Sequence, residues 1–163
     1  MHDVAIQDRL RDNFCWGCGA DNPDGLHLKS YWDGGVAVAT FVPADMFAAG
    51  PRHVLNGGIV ATLLDCHGVC TAIARAYDAE KRAIGSDPDI WHATTFMEVA
   101  YLRPTPLGQE LELSGRVLGA VADPGASERE TSVECVLSCG GKERARATVR
   151  SVRVPEEWRH GRR

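Results

Sequence analysis

A Gly-Gly pair followed by one acid in an apolar run is the part of the sequence best suited to chemistry. Asn56 precedes Gly57 and Gly58, and the next titratable side chain is that of Asp65. Asn is a favoured helix N-cap, and glycine leaves the free N–H groups of a first helical turn uncovered. Such N–H groups, together with the helix dipole, bind an anion or polarise a carbonyl. We therefore predict that residue 57 opens a helix and that Asp65 lies two turns along it.

The segment from residue 57 to residue 77 is predicted to be this central helix. Apolar residues recur in it at helical spacing and no proline interrupts it. One wide face is apolar and favours packing on a sheet; it contains Ile59, Val60, Leu63, Leu64, Cys66, His67, Cys70, Ile73 and Ala74. The opposite face, from Gly58 to Ala72, contains mostly small residues, which allow a second helix to approach. Asp65 belongs to the small face, so we expect it where two helices meet, and we interpret His67 as a core histidine.

Strand-like segments lie on both sides of the helix. Two precede it, residues 26–31 and 36–42, and four follow it, residues 93–103, 110–121, 131–139 and 143–154. Turn residues separate them at 33–35, 123–125 and 140–141. One helix cannot cover both faces of so long a sheet, but a strongly curved antiparallel sheet can wrap around the helix. The sequence therefore predicts an α+β protein with a hot-dog fold, in which about six strands wrap around one central helix.

Length and composition predict a single domain over residues 1–163. The chain has 163 residues, of which 44% are hydrophobic and 25% charged, as in ordinary globular proteins. We expect an N-terminal extension and loop over residues 1–25, including a short external helix before residue 14, and a flexible tail over residues 155–163. The net charge of −4 argues against nucleic acid as a partner. Short apolar runs and an acidic N-terminus predict a cytoplasmic protein without membrane contact.

Six cysteines in such a chain are expected to be reduced thiols. Cys15 and Cys18 have the spacing of half a zinc knuckle, but no second CxxC or HxxxH pair follows. Because zinc takes four ligands, we predict no metal site. The remaining four cysteines fall on apolar faces and are expected to pack in the core; they are Cys66, Cys70, Cys135 and Cys139.

Three segments of the sequence resemble one known family. Residues 56–65 resemble the signature of hot-dog acyl-CoA thioesterases of the phenylacetate-pathway (PaaI) type, which is usually written as HGG, a short apolar run and Asp. Residues 15–26, with Cys-Trp-Gly-Cys-Gly and Asn-Pro, resemble a loop that precedes the first strand in many members. Residues 99–104 resemble the strand ending that follows the helix. The likeness covers roughly residues 14 to 154, and the usual His of the signature is Asn56 here.

The resemblance implies an acyl-CoA thioesterase with its catalytic residues around the helix start. Hydrolysis of a thioester needs donors for the charge on the carbonyl oxygen and a group that activates water or attacks the carbon. Gly57 and Gly58 N–H groups suit the first task, and Asp65 suits the second, as general base or as nucleophile. Asn56 would hold the carbonyl or the water. The family often places a Ser or Thr where Thr94 or Thr95 stands, to orient the water or the acid; filling a strand is an equally good interpretation of either threonine.

A distance indicates that such a site needs two chains. Gly57 and Asp65 are eight residues apart, which is roughly 12 Å along one helix at about 1.5 Å per residue. One carbonyl cannot touch both. An antiparallel second helix would bring the partner's acid opposite Gly57, so we expect a homodimer with sites at its two-fold interface, as in the family. Hot-dog relatives also pair dimers, which makes a dimer of dimers a further expectation.

Substrate contacts are predicted from the loops near the helix start. Arg52, His53 and Arg103 are candidates for the phosphates of coenzyme A. We expect bulky residues of the nearby loops and of the strand after the helix to line the acyl pocket; these are Met46, Phe47, Trp91 and Phe96. Their size suggests the hypothesis that the acyl group is aromatic or of medium chain length. No cofactor is expected, because coenzyme A is part of the substrate.

Two other functions stay open at this point. The first is a non-catalytic acyl-CoA-binding protein on the same scaffold, which the loss of the usual His at Asn56 would permit. The second is a hot-dog hydratase or dehydratase, which needs a His and an acid facing one substrate. Only His53 and His67 are near in sequence, and their spacing from Asp65 favours neither.

Overall fold

A computed structural model describes residues 4–119, 123 and 125–161 of the chain. It contains six strands and two α-helices. The strands are β1 (Lys29–Asp33), β2 (Val36–Phe41), β3 (Trp91–Tyr101), β4 (Leu111–Val117), β5 (Glu130–Cys139) and β6 (Lys142–Val154). The helices are α1 (Gly57–Ala79) and α2 (Glu156–Arg159). The predicted turn at residues 123–125 lies partly outside the described residues.

All six strands form one antiparallel sheet in the order β1-β2-β4-β5-β6-β3. The sheet is open, with β1 and β3 as its edges. Gly34 and Gly35 form the turn between β1 and β2, and Gly140 and Gly141 form the turn between β5 and β6. All four have positive φ, which two-residue hairpins require and glycine adopts without strain. The predicted hot-dog architecture is confirmed.

The core lies between α1 and the concave side of this sheet. α1 contacts all six strands, and its buried side chains include Leu63, Leu64, Ile73 and Tyr77. The helix is long and apolar enough to cross a membrane by length and composition alone, but 61% of its most apolar window is buried within the fold. α1 therefore serves as the hydrophobic centre around which the sheet curves.

The small-residue face of α1 is partly buried within the fold and partly accessible to solvent. Gly68 packs directly on β6, because a Cβ built on it would lie 2.8 Å from Val149. Ala72 is also buried, at 1% exposure. Ala61, Thr62, Asp65 and Val69 remain half-buried in the single chain. The prediction of one continuous face for a second helix is therefore wrong at Gly68 and Ala72.

The N-terminal segment packs on the core as an irregular loop. Instead of the expected external helix it contains one 3-10 turn, Gln7–Arg9, flanked by the buried side chains of Ile6 and Leu10. Residues 11–28 contain no helix or strand, and hydrogen bonds such as Leu26 N–H to Trp16 O, at 2.8 Å, hold them in place.

The C-terminal segment differs from the predicted flexible tail. Residues 156–159 form α2, and the Arg159 side chain is only 14% exposed. Its guanidinium pairs with Asp89 and lies 4.7 Å from the centre of the Trp91 ring. The prediction of a solvated tail is wrong at Arg159, because a cation stacked on an aromatic face and paired with an acid anchors it, whereas residues 155–158, 160 and 161 are exposed.

Candidate active site

Asn56 begins α1 and fixes the direction of its first N–H groups. The Asn56 side chain accepts a hydrogen bond of 2.7 Å from Gly58 N–H, and its carbonyl accepts from the N–H groups of Ile59 and Val60. The N-cap role predicted for Asn56 is thus confirmed. Within the described part of the chain, Gly57 N–H donates to no protein acceptor, so it is the donor that an incoming carbonyl would find free. Asn56 also keeps its side-chain NH2 available.

Tyr101 was missed by sequence reasoning, although it lies within the motif at residues 99–104. Its hydroxyl donates a hydrogen bond of 2.8 Å to Gly57 O, and its ring lies 3.5 Å from where a Cβ on Gly57 would be. This contact joins the end of β3 to the first turn of α1. Leu55 N–H donates to Thr105 O at 2.8 Å and ties the preceding loop to the same place. A cavity of about 260 Å3 opens here, lined by Val54, Leu55, Gly57, Val60 and residues 101–105.

Asp65 is half-buried on α1 and has one hydrogen-bond partner in the described chain. Thr94 donates from Oγ1 to Asp65 Oδ1 at 2.7 Å. Burial raises the pKa of Asp65, while the Thr94 hydrogen bond lowers it, and the net shift is upward. The second carboxylate oxygen, Oδ2, stays free. A carboxylate of raised basicity with one fixed and one free oxygen can accept a proton or attack an electrophile.

A β-bulge decides which of the two candidate threonines meets the acid. The register of β3 against β6 shifts between Thr94 and Phe96, so Thr95 is the extra residue of the bulge. Thr95 donates to a carboxylate oxygen of Glu130 and to Arg150 O at 3.3 Å. The structure therefore joins Thr94, and not Thr95, to Asp65.

The candidate phosphate-binding residues lie around the start of α1, two in the preceding loop and one beside the cavity. Arg52 and His53 are exposed in the loop before α1. Arg103 borders the cavity beside Gly57, and its Nη1 donates to Glu143 O at 2.8 Å. All three side chains are exposed. Arg103 is the one that lines the same cavity as Gly57.

The four candidate acyl-pocket residues do not come together in one chain. Phe47 packs on the core and its carbonyl accepts from Asn56 N–H at 2.9 Å, so it adjoins the helix start. Met46 is 82% exposed. Trp91 is at the far end of β3 from Tyr101, roughly 33 Å away at about 3.3 Å per residue. Phe96 lies under Arg150, whose guanidinium is 4.3 Å from the ring centre.

His67 is a satisfied core residue, as predicted. It is fully buried; Nε2 donates to Ala37 O at 3.2 Å and Nδ1 accepts from Ser30 Oγ at 2.9 Å, since Ser30 Oγ in turn accepts from Gln7. Burial lowers the pKa of His67 to about 4, so it is neutral at pH 7. Both ring nitrogens are occupied on the sheet side of α1, away from Asp65.

Comparison with solved structures decides the family. No protein-family model matches the chain, and no curated protein matches its sequence. A thioesterase superfamily protein from Shewanella loihica PV-4 is 33% identical, with a TM-score of 0.59 over 78% of this chain and 91% of that one. The chain belongs to the thioesterase superfamily.

More distant structures share the thioesterase fold. Escherichia coli PaaI, from the phenylacetic acid degradation operon, is 16% identical with a TM-score of 0.61 over 80% of this chain and 81% of its own. A Streptococcus mutans protein solved with bound acetyl CoA is 17% identical with a TM-score of 0.59 over 78% of this chain and 88% of its own. The predicted resemblance is therefore confirmed at the level shown: the chain is a thioesterase superfamily protein and shares its fold with PaaI.

Proposed function

We propose that this thioesterase superfamily protein hydrolyses acyl-CoA, converting R–CO–S–CoA and water to R–COOH and HS–CoA. The observation that carries the proposal is the hydrogen bond from Thr94 to Asp65. It fixes a half-buried carboxylate on the helix whose first N–H group, that of Gly57, is free. Superfamily membership, with this acid at the signature position, supports the same chemistry.

Gly57 and Asn56 would stabilise the reacting carbonyl. The Gly57 N–H, at the positive end of the α1 dipole, donates to the carbonyl oxygen as negative charge develops on it. The Asn56 side-chain NH2 adds a second donor or orients the water. Gly58 N–H is occupied by the Asn56 cap at 2.7 Å, so it acts by holding Asn56 in place.

Asp65 would supply the reacting oxygen or activate it. As general base, its free Oδ2 takes a proton from water while the water oxygen bonds to the thioester carbon, and CoA thiolate leaves and is protonated. As nucleophile, Oδ2 itself bonds to that carbon, the C–S bond breaks and CoA thiolate leaves and is protonated, and water then hydrolyses the mixed anhydride. Thr94 orients the carboxylate in both routes.

The site would be shared by two chains. Gly57 and Asp65 of one chain are too far apart for a single carbonyl, whereas an antiparallel partner helix brings them together. β3 favours this assembly, because it is an edge strand of 11 residues whose side chains are mostly exposed or half-buried. Phe96 and Tyr101 are 41% and 56% exposed on it. We propose a cytoplasmic homodimer through β3 and α1, two copies of which would pair as a dimer of dimers.

The substrate would enter beside the helix start. Arg103 lines the cavity next to Gly57, and Arg52 and His53 lie in the adjoining loop, so these three side chains would meet the phosphates of coenzyme A. Phe47 adjoins the helix start and favours an aromatic or medium-chain acyl group. Coenzyme A enters as part of the substrate and no separate cofactor is proposed.

The alternatives make different demands on the same residues. A hydratase or dehydratase needs a histidine facing the acid, but both nitrogens of His67 are bonded on the sheet side and His53 is in the exposed entry loop. This arrangement disfavours it. An acyl-CoA-binding protein without activity needs only the cavity and the phosphate-binding side chains, so it is the competing function.

The deciding experiment is a panel of acetyl-, medium-chain, long-chain and aromatic acyl-CoA esters. Thiol release is measured for turnover, and calorimetry measures binding of the same esters. The proposal expects turnover of at least one ester, fastest for aromatic or medium-chain groups. Binding without thiol release from any ester would show a binding protein instead.

A further inference from the structure

Four cysteines from two distant parts of the chain lie beside the candidate active site, and three of them converge. The sulfur atoms of Cys15, Cys18 and Cys66 all lie within 4.8 Å of one another. Cys70 follows one turn later on α1 and is buried. We call these four residues the cysteine cluster. Sequence analysis predicted no metal site because the second ligand pair was missing; the fold supplies it from the helix.

We propose that the cysteine cluster binds one thiophilic divalent metal ion, Zn2+ foremost, as a structural site. The inference is independent of acyl-CoA hydrolysis. Cys15 and Cys18 provide a CxxC pair from the loop, and Cys66 and Cys70 provide an i, i+4 pair from one helix face. Both spacings are ones at which two side chains bind one zinc ion.

The sulfur spacing fits a metal site better than a disulfide. Cys15 Sγ and Cys66 Sγ are 3.6 Å apart. Two sulfurs on a tetrahedral zinc, each at about 2.3 Å from it, would be about 3.8 Å apart, whereas a disulfide is about 2.05 Å long. All four thiols of the cluster are free, and a disulfide would use only two of them. Three converging sulfurs, with the buried Cys70 one helical turn after Cys66, supply the ligand set from which a four-cysteine zinc site could form.

The loop that carries Cys15 and Cys18 is built to hold them. Gly19 N–H donates to Cys15 O at 2.7 Å, closing a tight turn. A Cβ on Gly19 would lie 2.4 Å from Asn13 O, so the turn accepts only glycine. A Cβ on Gly17 would lie 2.4 Å from Cys66 Sγ, which shows how closely the loop packs on α1. The ligands are therefore positioned before any metal binds.

Buried amide groups support the sulfurs from outside the cluster. Gln7 is fully buried, and its Nε2 donates to Cys70 Sγ at 3.3 Å. Asn13 is 3% exposed, and its side-chain Oδ1 accepts a hydrogen bond of 3.2 Å from Cys15 N–H. A donor such as Gln7 stabilises a thiolate, and outer hydrogen bonds are typical of metal ligands.

Binding would exchange protons for the metal without any redox change. Each coordinating thiol gives its proton to solvent, so four thiols and Zn2+ form a zinc tetrathiolate centre and release four protons. Because all four positions are taken by sulfur, no position remains for water or substrate, and the site would be structural. It would clamp the N-terminal loop to α1 at Cys66, immediately after Asp65.

The test compares wild type with Cys15→Ser and Cys139→Ala, all as the full chain in reducing buffer. Cys15 is exposed, so its replacement leaves the core intact, and Cys139 is a buried thiol outside the cluster. Metal analysis after dialysis should find about one zinc per chain in wild type and Cys139→Ala, and much less in Cys15→Ser. Co2+ added to the metal-free chain should give thiolate-to-cobalt charge-transfer bands in the first two proteins and weakened bands in Cys15→Ser.

Thiol alkylation gives a second measurement that does not depend on activity. With zinc bound, Cys15 should alkylate at least about tenfold more slowly than after chelation, while Cys139 is unaffected. Cys70→Ala should weaken zinc binding, because Cys70 would be the fourth ligand. The proposal is overturned if purified protein lacks zinc and added Zn2+ does not slow alkylation of Cys15. It is equally overturned if Cys15→Ser retains the zinc content of wild type. A third contradicting result is a disulfide at Cys15 in the purified protein, with no binding of Zn2+ after that disulfide is reduced.

Discussion

Thr94 Oγ1 and Asp65 Oδ1 are 2.7 Å apart, and this hydrogen bond joins the beginning of β3 to the middle of α1 across 29 residues of sequence. It ties the acid of the signature to the edge strand through which the dimer is proposed. The carboxylate is therefore oriented by the same element that would carry the partner subunit. The hydrogen bond from Thr94 therefore fixes the orientation of the Asp65 carboxylate.

Removal of the Thr94 hydroxyl should lower the rate of hydrolysis with little effect on folding. We expect Thr94→Val to reduce kcat about tenfold or more, the size of a hydrogen bond to a charged group. Thr94→Ser keeps the hydroxyl and should restore most of the rate. Thr95→Val is the matched control, because Thr95 bonds Glu130 and not Asp65. Equal losses in the Thr94 and Thr95 variants would contradict this role.

The Gly57 N–H can be deleted without disturbing the helix. Proline is favoured at the first helical position, and the extended ψ of 132° at Asn56 suits a residue that precedes proline. Gly57→Pro should therefore fold but lose about 100-fold or more in kcat, as expected for one oxyanion donor. Gly57→Ala retains the N–H, and its Cβ would have an ordinary 3.5 Å contact with Tyr101. The donor role fails if alanine is as damaging as proline.

Two inactive variants should complement each other if the site is shared by two chains. In a mixed dimer of Gly57→Pro and Asp65→Asn, one site carries both changes and the other carries neither. Random pairing after denaturation and refolding should then recover about one quarter of wild-type activity. A site contained within one chain predicts no recovery. The measurement is thiol release before and after mixing, with sedimentation to confirm dimers.

Acid should destabilise the fold through its half-buried histidine, His92. Burial lowers the pKa of His92 to about 4, against about 6.5 in an unfolded chain. Its contribution to stability is therefore complete above pH 6.5 and is lost as the pH falls toward 4, because the unfolded state binds the proton first. Between pH 7.5 and 5 we expect a loss on the order of 1–2 kcal/mol.

Urea unfolding of wild type and His92→Gln at both pH values isolates this contribution. The variant should lose less stability on acidification than wild type, because glutamine does not titrate. His67 acts in the same direction in both proteins and cancels in the difference. Identical losses in the two proteins would show that His92 is not the group responsible.

Local sequence patterns predict most of the fold. The N-cap at Asn56, the Gly-Gly turns and the alternating strands are short-range signals, and each element appears within a few residues of its predicted position. The prediction for the C-terminal segment missed the anchor at Arg159, because the pairing of Arg159 with Asp89 joins residues 70 apart in the sequence. Sequence spacing gives no sign of such a contact.

The site was predictable where the motif is continuous and not where it is assembled by folding. Residues 56–65 form a continuous sequence motif, so the helix start and the acid could be predicted from these residues alone. The preference of Asp65 for Thr94 over Thr95 depends on a bulge that only strand pairing creates. The cysteine cluster unites Cys15 and Cys66 across 51 residues, so neither pair alone indicated four ligands. Long-range placement is what the sequence left open.

The most direct measurement is hydrolysis of the best acyl-CoA ester by wild type, Asp65→Asn and Asp78→Asn. Asparagine keeps the oxygen that accepts from Thr94 but cannot act as base or as a carboxylate nucleophile. Asp78 is an exposed acid on the same helix, paired with Arg75, and controls for loss of one charge. We predict a fall in kcat of about 100-fold or more for Asp65→Asn and near wild-type activity for Asp78→Asn. Full activity in a folded, dimeric Asp65→Asn protein would contradict the account.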